Sequence, residues 1–295
     1  MSSLRKDHAI MVPCHSIWNY FTSCSDYIHL GQDPEQWFLA PFQYEGRDHL
    51  SFIKHGLAGL DTLLSDFANS TLIFSGSQTK AEAGPVSEAQ SYQLLMYRII
   101  KQSIDDINVV NGIFGNIDSE ILKLIQSIIS IMRDQEITLD QLFESHRITL
   151  EEYALDSFDN LLYSLGQFQA VNGNYPKKMT IVGFGFKQSR YLDLHAKAID
   201  FKNINYISIE PSPTGYNSEQ LEVYFSTLSA MEKKNAAALF QNDYYGRRSP
   251  LLDKKQSRNP FNKQPKYEIL NILKGLENYS DEEFLQKHIV GHTPW

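Results

Sequence analysis

Three short runs, Ala9-Ile10-Met11-Val12-Pro13, Leu72-Ile73-Phe74 and Met179-Thr180-Ile181-Val182-Gly183-Phe184, are apolar almost from end to end and show no alternation with polar residues. Strands of that kind are buried on both faces, the condition of a central parallel strand with helices above and below it. Asn205-Tyr206-Ile207-Ser208-Ile209-Glu210-Pro211 reads as a fourth strand. Between the runs the period changes. Leu50, Ile53, Leu57, Leu60, Leu64 and Phe67 recur at helical spacing over Asp48 to Phe67, and Ala89, Tyr92, Leu95, Met96, Ile99 and Ile100 do so over Val86 to about Ile107. Lys54 and His55 are expected off the buried stripe of the first helix. Strands alternating with helices predict an α/β chain built on a parallel sheet.

An open parallel sheet keeps its ligand beyond the carboxyl ends of its strands. The run at Leu72 ends in Ser75-Gly76-Ser77-Gln78-Thr79 and then Gly84-Pro85-Val86-Ser87-Glu88, which reads as strand, loop and helix start. Hydroxyls, an amide and unobstructed backbone N–H groups suit phosphate, carboxylate or sugar oxygens, although an ordinary βα turn also favours small polar residues. Glu88 falls in the first helical turn. Cys14-His15-Ser16 closes the first strand and emerges beside this loop if the two strands are neighbours. Lys187 and Arg190 follow the third strand at the head of a helix through about Ala198, an anion-binding arrangement. Gly183 and Gly185 lack the full glycine fingerprint of a dinucleotide loop. Glu210 stands at the end of the fourth strand. The candidate acid–base residues are Glu88 and His15, and the candidate ligand-binding residues are Ser16, Ser75, Gly76, Ser77, Gln78, Thr79, Asn160, Lys187, Arg190 and Glu210.

Other stretches place these elements. Thr149-Leu150-Glu151-Glu152 fits a capping box opening a helix to about Ala170, with Asp156 and Asn160 one turn apart. Residues 108–142 read as a helical insertion whose apolar Ile121 to Met132 segment fits a subunit contact or a lid as well as core, and so leaves a homodimer open. Ser25 to Gly46 is a long loop of the kind used as a lid or binding segment. Arg247, Arg248, Lys254, Lys255 and Arg258 face the single acid Asp253 over that tail segment, which is either a solvated basic loop or a phosphate-facing arm. The expected organisation is an α/β domain over 1–240 and a C-terminal extension over 241–295 packed on it.

With 295 residues and 42% hydrophobic side chains, the chain has material for a sizeable core. A net charge of -8 argues against nucleic acid or an anionic membrane as the main partner, since both need a dominant positive field. The two cysteines, Cys14 and Cys24, resemble neither a disulfide framework nor a zinc site, which points to a reducing compartment and no metal. The apolar run after His8 is too short for a signal segment or a membrane span, so a cytoplasmic protein is expected.

Taken in order, Val12-Pro13-Cys14-His15-Ser16-Ile17-Trp18, Ile73 to Thr79, Ala83 to Tyr92, Ala154 to Leu162, and Val182 to Lys187 with Arg190 resemble the SanA, ElyC and YdcF type of domain of unknown function. Asp243-Tyr244-Tyr245-Gly246 and Arg258-Asn259-Pro260-Phe261 are similar to its fungal cytosolic branch. The likeness spans roughly residues 8 to 262. It implies a Rossmann-like doubly wound sheet with helices on both faces, and a site at Ser75 to Thr79, Glu88, Asn160, Lys187 and Arg190. A relative of the YdcF kind is associated with S-adenosylmethionine, which makes that molecule the leading ligand. The expected function is binding of a nucleotide-like or anionic metabolite at the strand ends; a phosphate-ester hydrolase or transferase, or a non-catalytic partner-binding protein, are the alternatives.

Overall fold

A computed structural model describes residues 6–20 and 28–295; Cys24 and the start of the long loop lie outside the described residues. Five parallel strands, β1 (His8–Pro13), β2 (Ser70–Ser75), β3 (Ile148–Glu151), β4 (Lys178–Gly183) and β5 (Ile204–Ser208), form one sheet in the order β3-β2-β1-β4-β5. Met11 of the central strand is paired with Ile73 on one side and Ile181 on the other. Because successive side chains of a strand point to opposite faces, Ile10 and Val12 enter one core and Ala9 and Met11 the other. The chain is therefore a Rossmann-like doubly wound α/β protein, as its unalternated strands predict.

The helices are α1 (Asp48–Ser65), α2 (Glu88–Asp105), α3 (Ile107–Phe114), α4 (Ser119–Asp134), α5 (Leu139–Phe143), α6 (Ser157–Asn172), α7 (Ala196–Ala198), α8 (Ser218–Glu232), α9 (Ala238–Phe240), α10 (Leu251–Ser257) and α11 (Asp281–Phe284). On one face, α1 and α2 cover the sheet, and α4 lays Ile121, Ile125, Ile128 and Met132 into the same core. The 108–142 insertion thus spends its apolar stripe within the chain. On the other face, α6 packs with Tyr245, Leu251, Ile269, Phe284, Leu285 and Ile289 of the C-terminal segment. No described helix is long and apolar enough to cross a membrane.

Two expectations are corrected. Lys54 and His55 are buried: α4 covers Lys54, whose Nζ reaches Asp118 and Glu120, each at 3.1 Å, and His55 packs edge-on against Phe184 beside the Ile209 carbonyl. Thr149 to Glu152 opens no helix: Ile148–Glu151 is strand β3, and α6 begins after Asp156, whose carboxylate accepts the Asp159 N–H at 2.8 Å. The described part of the long loop is divided: Leu30 and Trp37 join the core, Trp37 edge-on against Phe52 and Tyr92, while Phe42 and Tyr44 stay exposed.

Candidate functional site

The strand order decides where a crevice opens. From β1 the chain winds outward through β2 to β3, then returns to the opposite side of β1 as β4, so the loops leaving β1 and β4 diverge toward opposite faces. His15 leaves β1 there and Lys187 leaves β4. The His15 ring stacks on Phe184, with centroids 5.3 Å apart, and stands edge-on to His55. Lys187 Nζ donates to His15 Nδ1 at 3.4 Å and lies over the Phe184 and Phe186 rings. Burial, then Lys187, hold the imidazole well below its ordinary pKa, so it is neutral and carries its hydrogen on Nε2. That Nε2 is buried and has no hydrogen-bond partner among the described residues. Lys187 itself is brought down to about 8, first by burial and next by the Arg190 guanidinium. Solvent still reaches part of its side chain, and among the described residues no carboxylate stands within ion-pair distance.

A second cluster sits one strand over. Ser75 pairs with Pro13 at the end of β2, and its hydroxyl donates to Glu151 Oε2 at 2.7 Å. Asn160 of α6 donates to the Ser75 carbonyl and hydroxyl at 3.1 and 3.0 Å. Glu151 also accepts the Tyr153 N–H at 2.7 Å, yet burial outweighs these donors and pushes its carboxyl up to about 7. Sequence reasoning missed Glu151 because Thr149 to Glu152 read as the capping box of a helix and not as the end of a strand. Thr79 donates to Glu88 Oε1 at 2.5 Å, and burial raises the Glu88 carboxyl against the pull of Thr79 and Arg258. A side chain at Gly76 would meet Glu88 Oε2 at 2.7 Å and Cys14 Cβ at 3.0 Å, so this close approach needs glycine.

Several predicted donors are already engaged. The Gly76 and Ser77 N–H groups, expected to be unobstructed, donate to the Glu151 and Ala154 carbonyls at 2.9 and 3.1 Å. Pairing with β3 beyond the strand's end consumes them. Ser16 donates its hydroxyl to the Phe38 carbonyl at 2.9 Å, and Gln78 donates its amide to the Pro85 carbonyl at 2.6 Å. Arg190 Nε stands 3.0 Å from Glu232 Oε1, close but without hydrogen-bond alignment, so part of its charge is met from α8. Glu210 lies two residues past β5, exposed and folded over Gly185.

Asp48 is a further site residue that the sequence did not mark. It opens α1 after Arg47, a non-glycine residue at φ +51°, and burial pushes its carboxyl up to about 7 while Lys187 opposes the shift. A side chain at Gly46 would collide with the Tyr224 hydroxyl and the Asp48 carboxylate, so both groups can crowd this position only because it is glycine.

The C-terminal segment closes one rim. Lys255 of α10 bridges Asp156 and Asp159 at 3.1 and 2.8 Å. Burial alone would pull this ammonium down, but the two carboxylates hold it above its ordinary range; burial and Asp156 push Asp159 up to about 6. Arg258 donates to the Leu155 carbonyl at 3.0 Å, and its charge acts on His15, Glu88 and Lys187.

A surface concavity of about 1100 Å³ between α2, α4 and α5 is lined by Tyr97, Ile104, Ile129, Arg133 and Ile137 among others, and shares no residue with this crevice. Volume and chemistry therefore disagree. The switch point has the better claim, because the perturbed titratable groups gather there. Among the described residues no group of three or more His, Cys, Asp or Glu could hold a metal ion.

No family model matches the chain, and no solved structure matches it. A protein of Saccharomyces cerevisiae, the uncharacterized protein YOR238W, is 47% identical over 303 residues, a match that covers 98% of this chain and 97% of that protein. Identity at that level over the whole length means one fold and one family, and the chain belongs to the family of YOR238W.

Proposed function

We propose that this protein binds a small anionic, nucleotide-like metabolite in the cytoplasm, in the crevice between the carboxyl ends of β1 and β4. The observation that carries the reading is Lys187: an ammonium pressed against His15, Phe184 and Phe186 at the switch point, with the Glu232 and Asp48 charges acting on it from a distance but no carboxylate within ion-pair distance among the described residues. A desolvated, unpaired cation is costly unless a ligand's anion meets it. S-adenosylmethionine, through its carboxylate, is the leading candidate on the resemblance to the SanA, ElyC and YdcF type of domain; nucleotides and sugar phosphates offer the same handle.

The test is a thermal-denaturation screen against S-adenosylmethionine, S-adenosylhomocysteine, nucleotides and sugar phosphates. A ligand at a hundred times its dissociation constant stabilises by about 2.7 kcal/mol. That gain should disappear in Lys187→Met and shrink in Glu88→Gln. A wild-type protein indifferent to the whole panel refutes the reading.

One observation favours a catalytic variant of it. Asp48, whose carboxyl burial pushes up to about 7 while the Lys187 charge opposes the shift, has the proton affinity of a general acid or base for a phosphate-ester hydrolase or transferase. Turnover of a generic phosphate ester, lost in Asp48→Asn, would establish that variant.

A further inference from the structure

Five cations border the crevice rim, and their partners separate them. Arg190 has Glu232, Lys255 has Asp156 and Asp159, and Lys254 donates to the Asn235 carbonyl at 2.8 Å. Lys187 and Arg258 have no carboxylate within ion-pair distance among the described residues. They approach from opposite parts of the chain, Lys187 from the loop after β4 and Arg258 from the end of α10.

Arg258 is set in place rather than left on a loose tail. Upstream of it, Lys255 is locked on the first turn of α6, the helix whose Asn160 holds Ser75. Downstream, the Asn259 side chain closes a turn by accepting from Lys263 N and donating to Lys263 O, both at 2.9 Å. The whole segment is clamped by Asp281, which meets Arg247 at 3.0 Å and Arg248 at 2.8 Å. A guanidinium carries five N–H donors, and Arg258 uses one of them, on the Leu155 carbonyl. Leu155 follows Ala154, whose carbonyl accepts the Ser77 N–H, so the guanidinium is anchored at the edge of the Ser75 to Thr79 loop.

We propose that Arg258 is a specificity residue contributed by the C-terminal segment, which together with Lys187 holds a phosphate monoester dianion and favours phosphorylated ligands over carboxylates. The inference rests on the anion-binding reading of the crevice and narrows it to phosphorylated ligands, placing nucleotides and sugar phosphates ahead of S-adenosylmethionine. Two separate cations, one a point charge and one a planar fork with four donors free, match the two charges and three oxygens of a terminal phosphate better than the single charge of a carboxylate.

The experiment is isothermal titration of the full chain with glucose 6-phosphate, adenosine 5′-monophosphate, inorganic phosphate, adenosine and S-adenosylmethionine, for the wild type and Arg258→Gln. Glutamine keeps a donor for the Leu155 carbonyl and removes the charge, and an unliganded melting temperature equal to wild type confirms that the segment is still seated. The expected result is a loss of tenfold or more in affinity for the phosphorylated probes, with S-adenosylmethionine and adenosine unchanged and Arg258→Lys partly restoring the phosphate preference. Equal affinity of wild type and Arg258→Gln for the phosphorylated probes overturns the proposal, as does an equal loss for every probe. Binding of S-adenosylmethionine alone overturns it while leaving the anion-binding reading intact. Binding of none of the five refutes both.

Discussion

Glu151 has no cationic partner within ion-pair distance among the described residues, and its carboxyl is fully buried at the end of β3. Its pKa rises on folding from 4.5 to about 7, so the folded chain binds the proton more tightly across that interval. The stability it lends is whole below pH 4.5 and is lost as pH rises through 7, on the order of 3 kcal/mol. Urea denaturation of Glu151→Gln at pH 5 and pH 8 should show a smaller fall between the two than wild type. A residual slope should remain, because Asp48 and Asp159 shift in the same direction. Lys255 gives the opposite pattern. In Lys255→Met the Asp156 and Asp159 carboxylates lose their cation, which should cost about 3 to 5 kcal/mol at pH 8. The cost should be smaller at pH 5, where Asp159, with its pKa of about 6, takes up a proton.

Among the elements, α4 bears directly on the buried Lys54. Its side chains Ile121, Ile125, Ile128 and Met132 complete the core that α1 and α2 begin, so Ile125→Ala should cost about 2 to 5 kcal/mol in urea denaturation, as other large-to-small core changes do. The same element shows where the sequence was legible. The apolar stripe of α4 declared a buried helix face, but nothing in its period said what it would cover, and a face that covers α1 reads the same as one awaiting a second subunit. Strands β1, β2 and β4 were plain because burial on both faces leaves their middles apolar, with polar residues mostly at the ends. Strand β3 was not: it has four residues at the sheet edge, and Thr149 with Glu152 has the spacing of a helix cap. Missing β3 hid Glu151, and it also hid the fate of the Gly76 and Ser77 N–H groups, which only the β3 pairing explains. His15, Lys187 and Asn160 were legible because they follow strand ends or open a helix. Asp48 reaches the crevice through tertiary packing, for which no local pattern exists, whereas Arg258 belongs to the basic tail segment that already offered a phosphate-facing arm in the sequence.

At the scale of the molecule, the C-terminal segment completes the second core. Phe284, Leu285 and Ile289 are buried with α6 and the sheet, and Tyr245 packs edge-on against Phe158. A chain ending at Phe240 would expose that apolar face, and each fully buried large side chain lost forgoes about 1.5 to 3 kcal/mol. Such a truncation should fail to give a cooperative thermal transition in circular dichroism, whereas a chain that melts sharply without residues 241–295 would show that the sheet and its helices stand alone.

The pairing of β1 with β4 joins residues about 170 positions apart, and Arg258 joins later still. A ribosome therefore releases β1, β2 and the apolar side of α1 long before the strand that protects β1 exists. Until β4 emerges, the growing chain carries an open, oily edge of the kind that recruits chaperones and invites aggregation. Slowing translation upstream of residue 178 should lengthen that exposure and lower the soluble yield, more than the same delay placed after residue 289, where the last buried residue of the second core has already been made.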